Sequence, residues 1–275
     1  RRLIQLCAAL LYNLNLKGFA EASIYKGKSK GLCVPGLNCY SCPGAVGSCP
    51  LGTLQNALSA MDRKLPFYIL GVLLLFGVTM GRTICGFLCP FGLVQELLYK
   101  IPVPKIKKNR VTQELSKVKY VILAVFVIIL PVVFKAASGL PVPAFCKYIC
   151  PAGTLEGGIP LVLLDDSLSG LAGALFHWKV LVLAAILVSA CFLYRSFCRI
   201  LCPLGAIYSL FAPVALLGVR IDRDTCVDCG RCVRTCKMDV RQVGDRECIQ
   251  CGECMKECNV DAIYWKKPWD VKSKK

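Results

Sequence analysis

Four charge-free apolar runs are the feature that most constrains the fold of this 275-residue chain. Each is shorter than the ~20 residues that a spanning helix needs, but uncharged flanks can lengthen three of them. The alternative is that the runs form buried helices of a soluble core. The basic loops between the runs and a mean hydropathy of +0.57 disfavour this alternative. The sequence therefore predicts a mainly α membrane protein with four transmembrane helices. The runs are Leu3–Leu16, Leu65–Gly81, Tyr120–Phe134 and Val180–Tyr194.

The loops between these runs predict the orientation of the chain. Arg82–Lys119 carries eight Lys and Arg residues, whereas Lys135–His177 carries two together with three acidic residues. Because cytoplasmic loops are enriched in Lys and Arg, the first loop is assigned to the cytoplasm and the second to the outside. Four crossings then place both termini in the cytoplasm of a multi-pass protein of the cell membrane. Lys17–Lys64 carries six basic residues, and its predicted outer position departs from the rule.

The net charge of +17 is unevenly distributed. Residues 1–219 contribute +14 and residues 220–275 contribute +3. The excess lies between apolar segments, where charge sets membrane orientation, whereas a nucleic-acid-binding surface would cluster on a polar fold. The charge therefore favours a membrane partner and gives no reason to expect a nucleic-acid partner.

Cysteine accounts for 20 residues, and eight of these form two runs near the C-terminus. The repeated spacing Cys-x-x-Cys-x-x-Cys-x-x-x-Cys resembles that of bacterial two-cluster ferredoxins, whereas a zinc ribbon has only paired Cys-x-x-Cys motifs. Three thiolates of one tight loop reach three irons of a cubane, and the fourth ligand comes from the other run. Lys237 and Asn259 replace the proline that usually follows each run in those ferredoxins. The predicted ligand sets are Cys226, Cys229, Cys232 and Cys258 for one [4Fe–4S] cluster, and Cys248, Cys251, Cys254 and Cys236 for the other.

These features predict two domains. Residues 1–219 form the membrane module, and residues 220–275 form a small cytoplasmic α+β domain with the two-cluster ferredoxin-like arrangement.

No Cys-x-x-Cys is followed by His, which excludes c-type haem attachment, and a single His excludes bis-His haem.

The membrane half carries a second cysteine pattern, Cys-x-x-x-Cys-Pro-x-Gly. It occurs at Cys85–Gly92, Cys146–Gly153 and Cys198–Gly205, with a looser version at Cys39–Gly52. Proline suits the first turn of a helix, where its missing N–H costs nothing, so each second Cys should lie at a helix N-terminus. We predict that the segments Phe91–Ile101 and Leu204–Leu217 form amphipathic helices at the membrane surface.

Three intervening residues place both thiols of a motif on one face of a helical turn. We therefore predict a cluster held by Cys85, Cys89, Cys198 and Cys202 on the cytoplasmic side. By pseudo-symmetry, a second would be held near the outer leaflet by Cys39, Cys42, Cys146 and Cys150, with Cys49 as a substitute ligand. The alternative is that these cysteines are structural, or that the outer ones form disulfides. Cys7 and Cys191 are interpreted as packing residues, and Cys33 is ambiguous.

The Cys-x-x-x-Cys-Pro motifs, the apolar runs and the cysteine-rich tail together resemble the NapH/NosR group of membrane ferredoxin-type proteins. The stretches Asn38–Gly52 and Gly81–Gly92 carry the resemblance most clearly. The resemblance implies a four-helix membrane module with a cytoplasmic ferredoxin domain. It also implies electron transfer with the quinone pool or with redox partner proteins at the membrane.

Two function classes are compatible with these motifs. The first is an electron-transfer subunit of a membrane oxidoreductase, of the quinol dehydrogenase type, which the multiple cysteine sets favour. The second is a redox-sensing or maturation accessory protein, for which one cluster would suffice. A self-contained enzyme lacks support, because there is no flavin or nicotinamide fingerprint and no nucleophile–base pair. A quinol site would need a proton acceptor, for which the candidates are His177, Glu156, Asp165 and Asp166, with His177 more typical of an interfacial anchor.

Overall fold

The computed structural model describes residues 1–59, 66–106, 108–165, 167, 170, 172–238 and 240–266. The predicted positions Leu65, Asp166 and Lys275 lie outside the described residues. Most of the described chain is helical, with 3₁₀ turns at Lys28–Gly31 and Glu253–Glu257. The helices are α1 (Arg2–Tyr12), α2 (Lys17–Ala20), α3 (Pro50–Ser59), α4 (Phe67–Thr79), α5 (Thr83–Phe87), α6 (Pro90–Leu98), α7 (Arg110–Ser138), α8 (Ala144–Tyr148), α9 (Gly153–Leu164), α10 (Ala174–Phe192), α11 (Ser196–Ile200), α12 (Pro203–Phe211) and α13 (Arg231–Thr235).

Two helices of the described chain, α7 and α10, are long and apolar enough to cross a membrane. They have 29 and 19 residues and contain most of the third and fourth apolar runs. The first two runs form the shorter helices α1 and α4, and α9 is a further short apolar helix. The described part of the chain therefore shows two such helices, whereas four were expected from the sequence. The first run stops short because α1 ends at Tyr12, with Asn13 as its C-cap, and α4 begins at Phe67, directly after Pro66.

The helices that follow the Cys-Pro pairs form as the sequence predicts, but two of them are not surface helices. Helices α3, α6 and α12 each begin at the proline after a cysteine. Helix α6 packs against α1 and α10, and α12 packs against α7 and α4. As a result, the side chains of Phe91, Gln95, Tyr208 and Ser209 are buried inside the protein. An amphipathic helix at the membrane surface would instead expose one of its faces.

The tail has α+β character. Strand β1 (Gly218–Ile221) pairs antiparallel with β2 (Ile263–Lys266), so that Gly218 lies opposite Lys266. The domain boundary predicted after residue 219 falls inside β1. Helix α13 and the Glu253–Glu257 turn lie between the strands, and each follows a left-handed glycine, Gly230 or Gly252, where a Cβ would be strained.

The tail packs directly on the helical half of the molecule. Glu247 forms ion pairs with Arg82 and Lys119, whose side chains are completely buried. The rings of Phe87 and Trp265 meet edge to face with centroids 5.7 Å apart. These contacts fix the tail against helix α5, which carries Cys85.

Candidate cluster-binding sites

The first tail set lines one cavity, of about 270 Å³, with its four thiols drawn from both cysteine runs. It consists of Cys226, Cys229, Cys232 and Cys258. Asp228 and Gly230 adopt left-handed backbone angles, which fold the loop tightly between successive cysteines. Arg231 donates to Asn259 over 2.7 Å, which ties the first run to the residue beside the fourth thiol. Four soft ligands around one cavity fit an iron–sulfur cluster.

The second tail set consists of Cys236, Cys248, Cys251 and Cys254. Together with Met238 and Ile249, these cysteines line a smaller cavity. Burial raises the pKa of Cys254 to about 12, and the neighbouring thiols add to that rise. Burial likewise raises the pKa of Cys236 to about 11. Free thiolates are therefore disfavoured here, and a bound cationic centre would supply the charge that deprotonates them.

Four buried thiols converge where α5, α6, α11 and α12 meet, and we call them the proximal set: Cys85, Cys89, Cys198 and Cys202. Each of these thiols lies within electrostatic range of others in the set. Burial raises the pKa of Cys89 to about 12, with the charges of Cys198 and Cys85 adding to it. The structure thus brings together the four cysteines that the repeated motif selected.

Polar groups face the proximal set from several sides. Gln95 Nε2 donates to Cys198 Sγ over 3.1 Å, while Gln95 Oε1 accepts from the Phe197 amide over 3.1 Å. The Gly205 amide donates to Cys202 Sγ over 3.3 Å at the start of α12. Hydrogen bonds of this kind orient metal-ligating thiolates and stabilise their charge.

Two fully buried arginines also lie beside the proximal set. Arg195 donates to the Cys85 carbonyl and is paired with Glu96 at 2.6 Å. Arg82 donates to the Cys198 carbonyl over 3.5 Å. A set of four thiolates with its iron and sulfide is usually a net anion, so buried positive charge at this position suits it.

The distal set lines a cavity of about 340 Å³ and consists of Cys39, Cys49, Cys146 and Cys150. The structure places Cys49, the substitute ligand of the sequence prediction, on this cavity. Cys42 instead faces the Gly44 and Ala45 amides and is buried outside the cavity lining. Burial raises the pKa of Cys39 to about 12, and the Glu156 charge adds to the rise.

The distal set repeats the glutamine arrangement of the proximal set. Gln55 Nε2 donates to Cys146 Sγ over 3.2 Å, and Gln55 Oε1 accepts from the Phe145 amide over 2.9 Å. Gln55 and Gln95 each stand six residues after the cysteine that precedes a helix, in the pattern Cys-Pro-x-Gly-x-x-Gln. The sequence analysis missed these two residues, although that shared spacing was a readable signal.

The described candidate proton acceptors make separate contacts. Glu156 is directed at the distal set, where its carboxylate accepts from the Cys39 amide over 2.7 Å. Burial raises the pKa of Glu156 to about 7, and that amide opposes the rise. His177 is exposed and contacts its own helix at Gly173, and Asp165 accepts from Ser167.

The proximal and distal sets share one backbone segment, Pro35–Asn38. A Cβ at Gly36 would lie 3.2 Å from Cys89 Cα, and Leu37 and Asn38 line the distal cavity. Because Gly36 is only three residues from Cys39, the two sets are much closer together than the ~30 Å hydrocarbon thickness of a bilayer. This differs from the expected placement of one set near each leaflet, because Pro35–Asn38 folds back onto the Cys85–Cys89 loop.

The proximal set also meets the second tail set through the backbone. A Cβ at Gly86 would lie 2.4 Å from the Ile249 carbonyl oxygen, so only glycine allows this approach. Gly86 follows Cys85, and Ile249 follows Cys248. Helix α5, which carries Cys85, is therefore in direct contact with the loop that carries Cys248.

All twenty cysteines lie in the described part of the chain, and each is a free thiol. Within that part, no three Cys, His, Asp or Glu side chains are placed to hold a single metal ion. Cys7 is exposed, Cys191 donates to the Leu187 carbonyl, and Cys33 contacts Thr53.

Comparisons with known proteins agree with this geometry. A 4Fe-4S binding domain family, Fer4_5, matches residues 48–68, 65–109, 120–159 and 175–221, more than half of the chain. These matches contain Cys49, the proximal set, Cys146 and Cys150. No solved structure matches the chain.

Curated relatives include ferredoxin-type proteins. The uncharacterized protein MJ0750 of Methanocaldococcus jannaschii is 30% identical over 62% of this chain and 64% of its own length. The methylamine utilization ferredoxin-type protein MauN of Paracoccus denitrificans is 25% identical over 70% of this chain and 62% of its own. The regulatory protein NosR of Pseudomonas aeruginosa is 31% identical over 58% of this chain and 20% of its own. This chain thus spans less than two thirds of the length of these relatives.

The family matches and the ferredoxin-type relatives confirm the resemblance to membrane ferredoxin-type proteins. The chain belongs to the 4Fe-4S binding domain family.

Proposed function

From that membership we propose that this iron–sulfur protein is a membrane-bound electron conduit with four cluster sites, two in the tail and two among the helices. The observation that carries the proposal is the contiguous arrangement of four sets of four thiols. Membership in a 4Fe-4S family and ferredoxin-type relatives support iron–sulfur electron transfer as the chemistry. When bound, each cluster supplies reversible one-electron transfer at a potential set by its surroundings.

The contacts suggest an order along the conduit. The first tail set includes Cys229, which is exposed and accessible to a redox partner protein. The second tail set follows, because Cys254 lies within electrostatic range of Cys232. The proximal set comes next through the contact of Gly86 with Ile249, and the distal set lies beyond it.

The residues of the chain have separate tasks in this proposal. Gln95 and Gln55 orient Cys198 and Cys146 and stabilise their thiolate charge. Arg82 and Arg195, which are ion-paired with Glu247 and Glu96, hold the backbone around the proximal set by donating to the Cys198 and Cys85 carbonyls. For the distal set we propose Cys49 as the fourth ligand in place of Cys42, because Cys49 lines the cavity.

We also propose that a quinol or a redox partner protein exchanges electrons with the conduit in the membrane, with both termini in the cytoplasm. The apolar character of α7 and α10 supports the membrane location. The quinol proposal predicts that a short-chain quinol reduces the purified protein, which can be followed by bleaching of its iron–sulfur absorption. Absence of bleaching by quinol, with full bleaching by dithionite, would limit the donors to proteins.

Iron and sulfide analysis of the purified full chain tests the number of sites. Four cubanes require about sixteen iron atoms per chain, whereas the tail alone requires about eight. Changing Cys89 and Cys202 to Ser should remove about four iron atoms, while changing Cys7 and Cys191 to Ser, outside every set, should remove none. A wild-type content of about eight iron atoms would refute the sites among the helices.

A further inference from the structure

The segment Pro35–Asn38 connects the proximal and distal thiol sets. A Cβ at Gly36 would lie 3.2 Å from Cys89 Cα, and Leu37 and Asn38 line the distal cavity. Asn38 is followed directly by Cys39 of the distal set. Since one residue of chain spans at most ~3.6 Å, the Cα atoms of Gly36 and Cys39 lie within roughly 11 Å of each other.

Three contacts hold this segment in place. A Cβ at Gly36 would lie 2.9 Å from the Leu88 carbonyl oxygen and 3.2 Å from Cys89 Cα, so glycine is needed for the close approach. Tyr208 donates through its hydroxyl to the Pro35 carbonyl over 2.9 Å. The side chain of Asn38 is completely buried and accepts from Asn13 over 2.9 Å.

The surroundings of the segment keep water away from it. Leu37 is 2% exposed, and Asn38 and Tyr208 are 0% exposed. Low polarity and fixed hydrogen bonds give this connection a single geometry, which a solvated loop would lack.

We propose that the segment Pro35–Asn38 is a bridge that couples the proximal and distal sites, because it packs on Cys89 at Gly36, leads directly into Cys39 and so fixes the separation of the two sets. This inference rests on the proposed function, because it requires both sets to hold clusters. With clusters bound, one electron crossing the bridge would oxidise one site by one equivalent and reduce the other by one, with no proton or covalent bond moved. The electron would come from the quinol or redox partner protein of the proposed function.

EPR of the dithionite-reduced full chain tests the bridge. Two paramagnetic sites this close should broaden and split each other's signals and speed each other's spin relaxation. In Gly36→Ala, the new methyl group pushes the segment away from Cys89, and we expect this interaction to be lost while the iron content and the tail signals are retained. Gly31→Ala is the matched control, because nothing lies within 4 Å of its Cβ position, and it should keep the wild-type spectrum.

Tyr208→Phe provides a second, milder variant, since it removes only the hydroxyl that holds the Pro35 carbonyl. It should weaken the interaction without loss of iron, even if Gly36→Ala fails to assemble. About sixteen iron atoms with an interaction that persists unchanged in both variants would overturn the bridge alone. About eight iron atoms in the wild type would overturn the proposed sites and the bridge together.

Discussion

The ion pairs of Glu247 lead to a quantitative prediction about how the tail is held on the helices. Glu247 accepts from Arg82 over 3.0 Å and from Lys119 over 2.6 Å. Both cationic side chains are 0% exposed, and the Glu247 side chain is 16% exposed. Glu247→Gln keeps the size of the side chain, removes its charge and leaves two buried cations next to each other.

The size of the effect follows from this burial. Removing one partner of a buried pair costs ~3–5 kcal/mol, because the remaining charge is left uncompensated in a medium of low polarity. The partial exposure of Glu247 favours the lower end, about 3 kcal/mol. At ~1.4 kcal/mol for each tenfold change, the equilibrium between docked and undocked tail should shift by roughly a hundredfold.

Hydrogen–deuterium exchange of the full chain in lipid nanodiscs measures this shift. The amides around Ile249, which pack on Gly86, should lose protection in Glu247→Gln. Glu114→Gln is the matched control, because its pair with Lys117 is about two thirds exposed and such pairs contribute ~0–1 kcal/mol.

The double variant Lys119→Met with Glu247→Gln should regain part of the protection, because it also removes one of the uncompensated cations. If Glu247→Gln keeps the protection of the Glu114→Gln control, the ion pairs do not hold the tail and the reasoning is refuted.

Three further predictions concern the ligands, their donors and the topology. Cys229→Ala should remove one low-potential [4Fe–4S] EPR signal and destabilise its neighbour, because the two runs exchange fourth ligands; two unchanged signals would contradict the ligand sets. Gln95→Leu should lower the reduction potential of the proximal site alone in a redox titration, and Gln55→Leu that of the distal site alone, because each loses one hydrogen bond to a thiolate. Equal shifts of the two reduction potentials in either variant would contradict the assignment of one glutamine to each site. A reporter fused after Lys275 should be active in the cytoplasm, and activity only on the outer face would reverse the proposed orientation.

The sequence by itself determined the local features of this protein. The spacing of each tail run determines which thiols one tight loop can present, because neighbouring ligands are separated by only two or three residues. Proline after cysteine likewise marked the starts of α3, α6 and α12, since a helix N-terminus depends on adjacent residues. The family resemblance was also carried by such local motifs and was confirmed by the family match.

The tertiary structure decided which distant segments meet. Whether Cys42 or Cys49 reaches the distal cavity depends on the path of the loop before α3, which spacing alone does not determine, and it is Cys49 that lines the cavity. Gln55 and Cys146 are 91 residues apart in sequence, and Gln95 and Cys198 are 103 apart. Hydrogen bonds over such separations arise only when helices pack, because no local periodicity encodes which helix lies opposite which. The approach of Pro35–Asn38 to Cys89 has the same cause, and the separation of the two sets therefore became visible only in the folded chain.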